Sequence, residues 1–294
     1  MQLITFSSDE RPQPRAGLLT DQGVIDLSRA APELPTDLLR LITAGAEALS
    51  QAQMACSAAP HYALPDVHLN APIARPPKVI GIGLNYRAHA AESNMELPKV
   101  PLVFTKQSTS VTGPYDPIFW SEQAKALDYE GELAFVIGKR CRRVPKEKAA
   151  QVILGYTVLN DVSVRDWQLR GTPPSFTMGK SWDSHCPIGP SIVVDPDLDP
   201  HALELTTHVN GELRQQTSTD DLIFNCYELV EFLSTAFTLE PGDVVATGTP
   251  SGVGFAMRPP RPLVIGDRVR VAIEGLGALE NEVIQEPADR AMYF

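Results

Sequence analysis

The sequence predicts a mostly β fold with few helices, of the α+β class, in a closed or sandwich-like arrangement. Short runs rich in Val, Ile, Leu, Phe and Thr recur from residue 79 onward, bounded by Gly, Pro, Asp or Asn. These runs do not alternate with helices, which argues against a doubly wound α/β sheet. The pair Asn210-Gly211 is typical of a two-residue hairpin turn. The strand candidates are residues 79–82, 102–105, 131–137, 155–160, 191–194, 205–209, 243–247 and 268–273.

The beginning of the chain is predicted to form a small domain, residues 1–72, ahead of a larger domain, residues 73–294. The segment 71–78 contains three prolines in eight residues. Because proline blocks helices and central strands, this segment is expected to be a linker or an entry loop. The small domain has strand candidates at 3–6, 17–20 and 23–26 and a helix rich in Leu and Ala at 38–55. The larger domain has helix candidates at 86–94, 146–151 and 220–235.

Charge and cysteine content limit the partners and the compartment. The chain carries 36 acidic and 25 basic residues, a formal net charge of −11. Such a surface repels phosphate backbones, so no nucleic-acid partner is expected, and an acidic substrate requires a local positive site. The four cysteines form no C-x-x-C pair, which indicates reduced thiols and predicts a cytoplasmic location. No signal peptide and no apolar run of about 18 residues is found, so no membrane span is expected.

A group of carboxylates precedes the most apolar strand candidate. Asp128, Glu130 and Glu132 occupy alternate positions, and alternate side chains of a strand point the same way. Carboxylates that share one face beside a core repel one another unless a cation lies among them. Asp161 ends the next apolar run and supplies a further oxygen ligand. This all-oxygen set favours Mg²⁺ or Mn²⁺, with Ca²⁺ also suited, over Zn²⁺. The simpler interpretation is a solvated strand end.

His89 and Glu92 lie three residues apart in a helix candidate, which places them on one face. A carboxylate that orients an imidazole forms a general acid–base pair. The alternative is an exposed helix face with no chemical role. Because this polar helix is followed by a loop, the region 86–97 is expected to be a mobile lid.

Other polar residues are candidates for the walls of the same site. Arg165 and Gln168 follow Asp161 closely, and Lys180 is either a site cation or a surface residue. The glycine-rich segment 248–254 follows a strand and offers backbone N–H groups to an anion. The segment Gly81-Ile82-Gly83 lacks the third glycine of a dinucleotide-binding fingerprint, and no phosphate-binding loop or nucleophile elbow is present.

Six segments together resemble the fumarylacetoacetate hydrolase superfamily. They occur in the family's order over about residues 79–285 and read GIGLNYRAHAAE, PLVFTK, LDYEGELAFVIGK, GYTVLNDVSVRDWQ, TMGKSWDSHCPIGP and ATGTPSGVG. The resemblance implies a mixed β-sandwich roll with a small N-terminal domain, and commonly a homodimer.

The resemblance also assigns roles to particular residues. It implies that Glu130, Glu132 and Asp161 bind Mg²⁺ or Mn²⁺. It implies that His89 and Glu92 form a catalytic pair and that Lys180 is a site lysine. It also implies substrate contacts for Arg165, Gln168 and Thr249.

The expected activity is metal-dependent hydrolysis of a C–C bond in a 2,4-dioxo acid such as an acylpyruvate, through an enolate. The alternatives are an oxaloacetate decarboxylase or keto–enol tautomerase, or an isomerase of the 2-hydroxyhepta-2,4-diene-1,7-dioate type. Residues 257–263 resemble an insert of the branch that contains oxaloacetate decarboxylases and tautomerases. Each activity takes a small anionic 2-oxo acid as substrate. Outside enzymes, a catalytically inactive metal-binding scaffold is the remaining interpretation.

Overall fold

The computed structural model describes residues 1–92 and 95–288, which form two packed β-sheets, a two-stranded ribbon and seven α-helices. The strands are β1 (Gln2–Ser8), β2 (Arg11–Thr20), β3 (Gly23–Asp26), β4 (His68–Asn70), β5 (Val79–Gly83), β6 (Leu102–Lys106), β7 (Val111–Thr112), β8 (Ile118–Trp120), β9 (Leu127–Asp128), β10 (Gly131–Ile137), β11 (Ile153–Asn160), β12 (Ser163–Val164), β13 (Cys186–Val193), β14 (Glu204–Val209), β15 (Glu212–Ser218), β16 (Val244–Ala246), β17 (Arg268–Ile273) and β18 (Gly277–Gln285).

The helices are mostly short. They are α1 (Leu27–Ala30), α2 (Leu38–Thr43), α3 (Ala46–Ala55), α4 (Arg87–Glu92), α5 (Arg165–Gln168), α6 (Phe176–Lys180) and α7 (Cys226–Ala236). Short 3₁₀ helices cover Leu64–Asp66, Ser108–Ser110, Lys146–Gln151, Thr219–Asp221 and Gly254–Ala256. None of the described helices is both long enough and apolar enough to cross a membrane.

The large sheet has eleven strands, and its main path runs β3-β2-β1-β13-β11-β10-β16-β5-β6. The second sheet has the order β15-β14-β17-β18-β8, and β9 pairs with β12 in a separate ribbon. This mostly β arrangement with few helices confirms the predicted fold class.

Strand β10 lies at the centre of the core and is buried on both faces. Leu133 and Phe135 pack in one hydrophobic cluster with the second sheet and α7. Ala134 and Val136 face the opposite way and pack in a second cluster with β1 and the helix α2. The two-residue alternation of a strand explains this division, and the continuous apolar run 133–137 follows from it.

The N-terminal part of the chain joins the large sheet. Gln2 and Leu3 of β1 pair with Val193 and Ile192 of β13. The two parts of the chain therefore share one sheet. The division into domains of residues 1–72 and 73–294 stays a prediction.

Two helix predictions are wrong in detail. The predicted helix 38–55 is divided into α2 and α3 by Gly45, whose φ of 88° lies in the left-handed region. The predicted helix 220–235 begins later, because Asn225 caps α7 and forms a capping box with Glu228. The predicted hairpin is confirmed, since Asn210 and Gly211 have φ values of 52° and 80° and join β14 to β15.

We predict that Phe135→Ala lowers the free energy of unfolding by about 3–5 kcal/mol, because it leaves a cavity in the centre of the core. Phe232, which is 40% exposed on α7, provides a matched control. Phe232→Ala is expected to cost about 1 kcal/mol or less. Denaturant unfolding of the three proteins measures both values, and equal losses would show that β10 is not the centre of the core.

Candidate active site

The carboxylate cluster is assembled by the pairing of β10 with β11. Gly131 lies opposite Asn160 in the register, and the Asp161 N–H donates to the Glu130 carbonyl at 2.8 Å. The Asn160 side chain also accepts from the Glu130 N–H at 3.0 Å. As a result, Glu130, Glu132 and Asp161 each offer a carboxylate oxygen, and these oxygens all lie within 4.8 Å of one another. The structure brings together the three residues expected to be metal ligands.

All three carboxylates are buried, and their charges are unevenly balanced. Burial raises the pKa of Glu130, but Lys180 and Arg165 outweigh this effect and lower that pKa to about 2. Burial raises the pKa of Glu132 well above its ordinary value, and the charges of Asp161 and Glu130 raise it further. Negative charge is therefore in excess beside Glu132. A hard divalent cation with oxygen ligands, such as Mg²⁺ or Mn²⁺, fits this set of donors and removes the excess.

Lys180 lies on the cluster. Its Nζ donates to Glu130 Oε2 at 2.6 Å, to Asp161 Oδ2 at 2.7 Å and to Ser163 Oγ at 2.7 Å. Burial lowers the pKa of Lys180, but Asp161 and Glu130 outweigh burial and raise it above the ordinary value. Lys180 is therefore a buried, charged ammonium group.

Sequence reasoning missed a second buried ammonium group, that of Lys106. Its Nζ donates to Asp161 Oδ1 at 2.6 Å and lies 3.4 Å from the Val162 carbonyl. Lys106 is the last residue of β6, which reads LVFTK. Its position at the end of a strand is the sequence signal that could have identified Lys106 as a site residue. This signal is weak, because strand ends commonly carry exposed lysines.

Asp128 is not part of the group of carboxylates that could hold a metal ion, which consists of Glu130, Glu132 and Asp161. Tyr129 and Glu130 lie between β9 and β10, so the strand alternation is interrupted there. Asp128 Oδ2 instead accepts from Arg165 Nε and Nη2 at 2.9 and 2.8 Å.

Arg165 and Gln168 both lie beside the cluster. Arg165 Nη1 contacts Glu130 Oε1 at 2.6 Å and donates to Gln168 Oε1 at 3.0 Å. Arg165 thus connects the ribbon carboxylate Asp128 to the cluster carboxylate Glu130. Whether Arg165 and Gln168 contact a substrate stays a prediction.

The glycine-rich segment 248–254 donates its N–H groups to the protein's own carboxylates. The N–H of Gly248 donates to Glu132 at 2.7 Å, that of Gly252 to Glu92 at 3.1 Å, and that of Gly254 to Asp128 at 2.8 Å. The sequence predicted that this loop binds an anion, and the loop binds three carboxylates of the protein itself.

Thr249 lies in the same loop. Its Oγ1 donates to the Gly131 carbonyl at 3.0 Å and accepts from Gln215 Nε2 at 2.8 Å. Gln215, which sequence reasoning missed, also accepts from the Gly131 N–H at 3.0 Å through its Oε1. This bridge holds the loop against the beginning of β10, and the substrate contact expected of Thr249 stays a prediction.

His89 and Glu92, which are predicted to act as an acid–base pair, lie in contact on α4. His89 Nδ1 lies 3.2 Å from Glu92 Oε2, and Glu92 also accepts from the Gly252 N–H. The carboxylate is therefore held by the glycine-rich loop while it orients the imidazole. The expected lid, 86–97, includes Ser93 and Asn94, which lie outside the described residues, and its mobility stays a prediction.

One cavity of about 230 Å³ is lined by His89 and by the polar residues Glu130, Arg165, Gln168, Lys180 and Thr249. The remaining wall is mostly apolar and contains Ile82, Leu84, Met95, Leu102, Phe104, Leu169, Phe176, Val253, Phe255 and Ala256, together with Gly83. The cavity thus has a charged floor and apolar sides. It brings together His89, the buried cation Lys180 and the cluster carboxylate Glu130.

Comparison with known proteins identifies the family. Residues 78–284 match the model of the fumarylacetoacetate (FAA) hydrolase C-terminal domain. The chain belongs to the fumarylacetoacetate hydrolase family. An oxaloacetate tautomerase from Xenopus laevis is 42% identical over 97% of this chain and 90% of its own length.

Two solved structures of the family are similar over nearly the whole chain. A fumarylacetoacetate hydrolase from Exiguobacterium antarcticum is 37% identical with a TM-score of 0.86, over 97% of this chain and 100% of that one. A maleylpyruvate hydrolase from Sphingobium sp. SYK-6, in complex with manganese (II) and pyruvate, is 30% identical with a TM-score of 0.81. That match covers 98% of this chain and 100% of the other. The predicted family and fold are therefore confirmed.

The expected cytoplasmic location is wrong, because similar oxaloacetate tautomerases from Xenopus laevis, Rattus norvegicus and Homo sapiens are named as mitochondrial. The inference rested on cysteines that form no pairs. Free cysteines indicate only a reducing environment, which is not a property of the cytoplasm alone.

We predict that Mn²⁺ stabilises the chelated protein, by about 2.7 kcal/mol at a concentration of 100 times Kd. Glu132→Gln should abolish this gain. Without metal, the same variant should be at least as stable as the native protein. The substitution removes a buried repulsion, and the amide oxygen still accepts from the Gly248 N–H.

Denaturant unfolding with and without Mn²⁺ measures both effects. The control is Glu204→Gln, an exposed acidic residue on β14, which should retain the full stabilisation. Equal stabilisation of the native protein and Glu132→Gln by Mn²⁺ would contradict the assignment of Glu132 as a ligand.

Proposed function

We propose that the protein catalyses keto–enol tautomerisation of a small 2-oxo acid in a metal-dependent reaction, with oxaloacetate as the first substrate to test. The observation that carries the proposal is that His89, in contact with Glu92, lines one cavity together with Lys180 and the cluster carboxylate Glu130. Relatives from Xenopus laevis and Rattus norvegicus, named as oxaloacetate tautomerases, support this reaction. They favour the tautomerase alternative over the expected C–C hydrolase.

Glu130, Glu132 and Asp161 would hold the divalent cation, in agreement with the manganese (II) present in the maleylpyruvate hydrolase structure. A bound Mg²⁺ or Mn²⁺ would supply Lewis-acid polarisation of the 2-oxo group. Lys106 and Lys180 each hold one oxygen of Asp161, so the orientation of that carboxylate is set before any ligand binds.

The proton transfer follows from the geometry of the dyad. Because Glu92 accepts from His89 at Nδ1, the imidazole presents Nε2 as the atom that exchanges protons. Nε2 removes a proton from C3 of the substrate, and the C–H electron pair becomes the C2=C3 double bond. The electron pair of the C2=O bond moves to oxygen, which then receives the proton from the imidazolium. The reaction therefore needs no co-reactant.

Lys180 stabilises the negative charge that develops on the oxygen during this transfer. It is buried and charged, and electrostatic stabilisation is strongest where water is excluded. Thr249, Gln168 and Arg165 border the same space and would contact the substrate carboxylate or keep the cluster in place.

C–C hydrolysis is the second candidate, and the maleylpyruvate hydrolase structure favours it. The same dyad would deprotonate water, which attacks the C4 carbonyl of a 2,4-dioxo acid, and the C3–C4 bond then breaks. This route needs a ketone at C4 in addition to the 2-oxo group. C4 of oxaloacetate is a carboxylate carbon instead. A substrate panel therefore separates the two reactions.

We predict that the protein with Mg²⁺ or Mn²⁺ interconverts the keto and enol forms of oxaloacetate with a higher kcat/KM than it cleaves acetylpyruvate or fumarylpyruvate. His89→Ala and Glu92→Gln should each lower the tautomerase kcat/KM by about 10²-fold or more, the usual scale for a positioned acid–base group. Ultraviolet absorbance of the enol and product analysis of the dioxo acids provide the measurements.

His68→Ala is the matched control, because His68 is exposed on β4 and lies outside the cavity lining. Its kcat/KM should stay near the native value. Cleavage of a dioxo acid without any tautomerase activity would reject the proposal in favour of the hydrolase.

A further inference from the structure

The segment 219–225 connects β15 to α7 and lies against the beginning of α4. It includes residues that the sequence predicted to belong to the helix 220–235. Tyr86 and Leu222 form an antiparallel bridge between this connecting segment and the chain that enters α4. The residues that do not join α7 therefore contact the helix that carries the proposed base.

Two side chains bind the first turn of α4 to the connecting segment. The Asp221 carboxylate accepts from the Ala88 N–H at 2.9 Å, and Arg87 Nη1 donates to the Leu222 carbonyl at 2.8 Å. The N–H groups in the first turn of a helix have no partner within the helix, and Asp221 supplies one. Because α4 has only six residues, it is not stable by itself in water. Its position therefore depends on such bonds to the rest of the chain.

The chain that enters α4 is fixed by Asn85, which is completely buried. Its side chain donates to the carbonyls of Phe224 and Thr247 at 2.9 and 2.7 Å and accepts from the Phe224 N–H at 2.8 Å. The preceding residue, Leu84, has a φ of 53°, a left-handed conformation that leucine rarely adopts. Such a conformation persists only where the surrounding contacts impose it. These bonds thus set the direction in which the chain enters α4.

The connecting segment is itself attached to the core. Thr219 is completely buried, its N–H donates to the Leu203 carbonyl at 2.9 Å, and its Oγ1 accepts from the Leu203 N–H at 2.9 Å. Leu222 is buried as well, and Asn225 caps α7. Asp221 therefore extends from a rigid part of the fold to the first turn of α4.

The other end of α4 is held by the glycine-rich loop, where Glu92 accepts from the Gly252 N–H at 3.1 Å. His89 lies between the two attachments and lines the cavity. A shift of the first turn would move the imidazole relative to C3 of the substrate. Misplacement of a catalytic group by about 1 Å can lower a rate by about 10²-fold.

We propose that Asp221 is a positioning residue for the tautomerase reaction, because its bond to Ala88 fixes the helix that presents His89 to the cavity. The inference rests on the proposed function and adds a residue outside the cavity lining. Asp221 touches neither the substrate nor the carboxylate cluster, and it acts through the position of α4.

Asp221→Ala removes the acceptor at a partly exposed position. The kcat for oxaloacetate tautomerisation should fall about tenfold, the scale expected for a lost helix cap. KM should stay within about twofold of the native value, because the carboxylate cluster and Lys180 lie on other elements. Asp221→Asn retains an acceptor oxygen, and Asn caps a helix as well as Asp does, so its kcat should stay within about twofold.

Hydrogen exchange with Mn²⁺ present measures the attachment of α4 without reference to activity. The peptide 84–92 should exchange about tenfold faster in Asp221→Ala and at the native rate in Asp221→Asn. Asp220→Ala is the matched control. It removes the same charge from the neighbouring residue, whose carbonyl, and not its carboxylate, lies near Arg87. Its kcat and exchange should equal those of the native protein, and all variants should keep the stabilisation by Mn²⁺.

Each outcome decides a separate point. Unchanged kcat or unchanged exchange of 84–92 in Asp221→Ala would overturn the inference. The same losses in Asp220→Ala or Asp221→Asn would also overturn it, because the bond to Ala88 would then not be the cause. Absence of tautomerase activity in the native protein would reject the proposed function, whereas the exchange comparison would still support or overturn the attachment of α4 by Asp221.

Discussion

Three carboxylates buried beside one another impose the central constraint on this structure. Charged groups lose hydration on burial, and like charges at short range repel one another, so Glu130, Glu132 and Asp161 require compensation. With Asp128, four buried carboxylates face the three buried cations Lys106, Arg165 and Lys180. The excess negative charge falls at Glu132. A divalent cation would turn that excess into a single positive charge, which the C1 carboxylate of a 2-oxo acid would then neutralise.

The glycine-rich segment 248–254 is the second part of this compensation. Its N–H groups bind Glu132 of the cluster, Glu92 of the dyad and Asp128 of the arginine pair. One loop thereby connects the carboxylate cluster, the His89–Glu92 pair and the support of Arg165. Displacement of this loop would disturb all three at once, which explains why the site depends on Gln215 and Thr249 to hold the loop against β10.

Sequence reasoning found the parts of the site that depend on local pattern. Asp161 was identified because it ends an apolar strand, and His89 and Glu92 because helical spacing places them together. Asp128 and Lys106 were not interpreted correctly, since their partners lie on other elements: Asp128 pairs with Arg165 across the β9–β12 ribbon, and Lys106 reaches Asp161 from β6. The apolar sides of the cavity escaped prediction for a similar reason, because the pairing of Gly81 with Phe104 and of Gly83 with Leu102 follows only from the register between β5 and β6.

The central claim is that the excess negative charge among the three carboxylates accommodates one divalent cation. Anomalous diffraction from a crystal of the protein soaked in Mn²⁺ tests it most directly. The account predicts one strong manganese peak at coordination distance from Glu130, Glu132 and Asp161, with Lys106 still on the far oxygen of Asp161. Absence of a peak there at saturating Mn²⁺, or a peak held by other residues, would contradict the account.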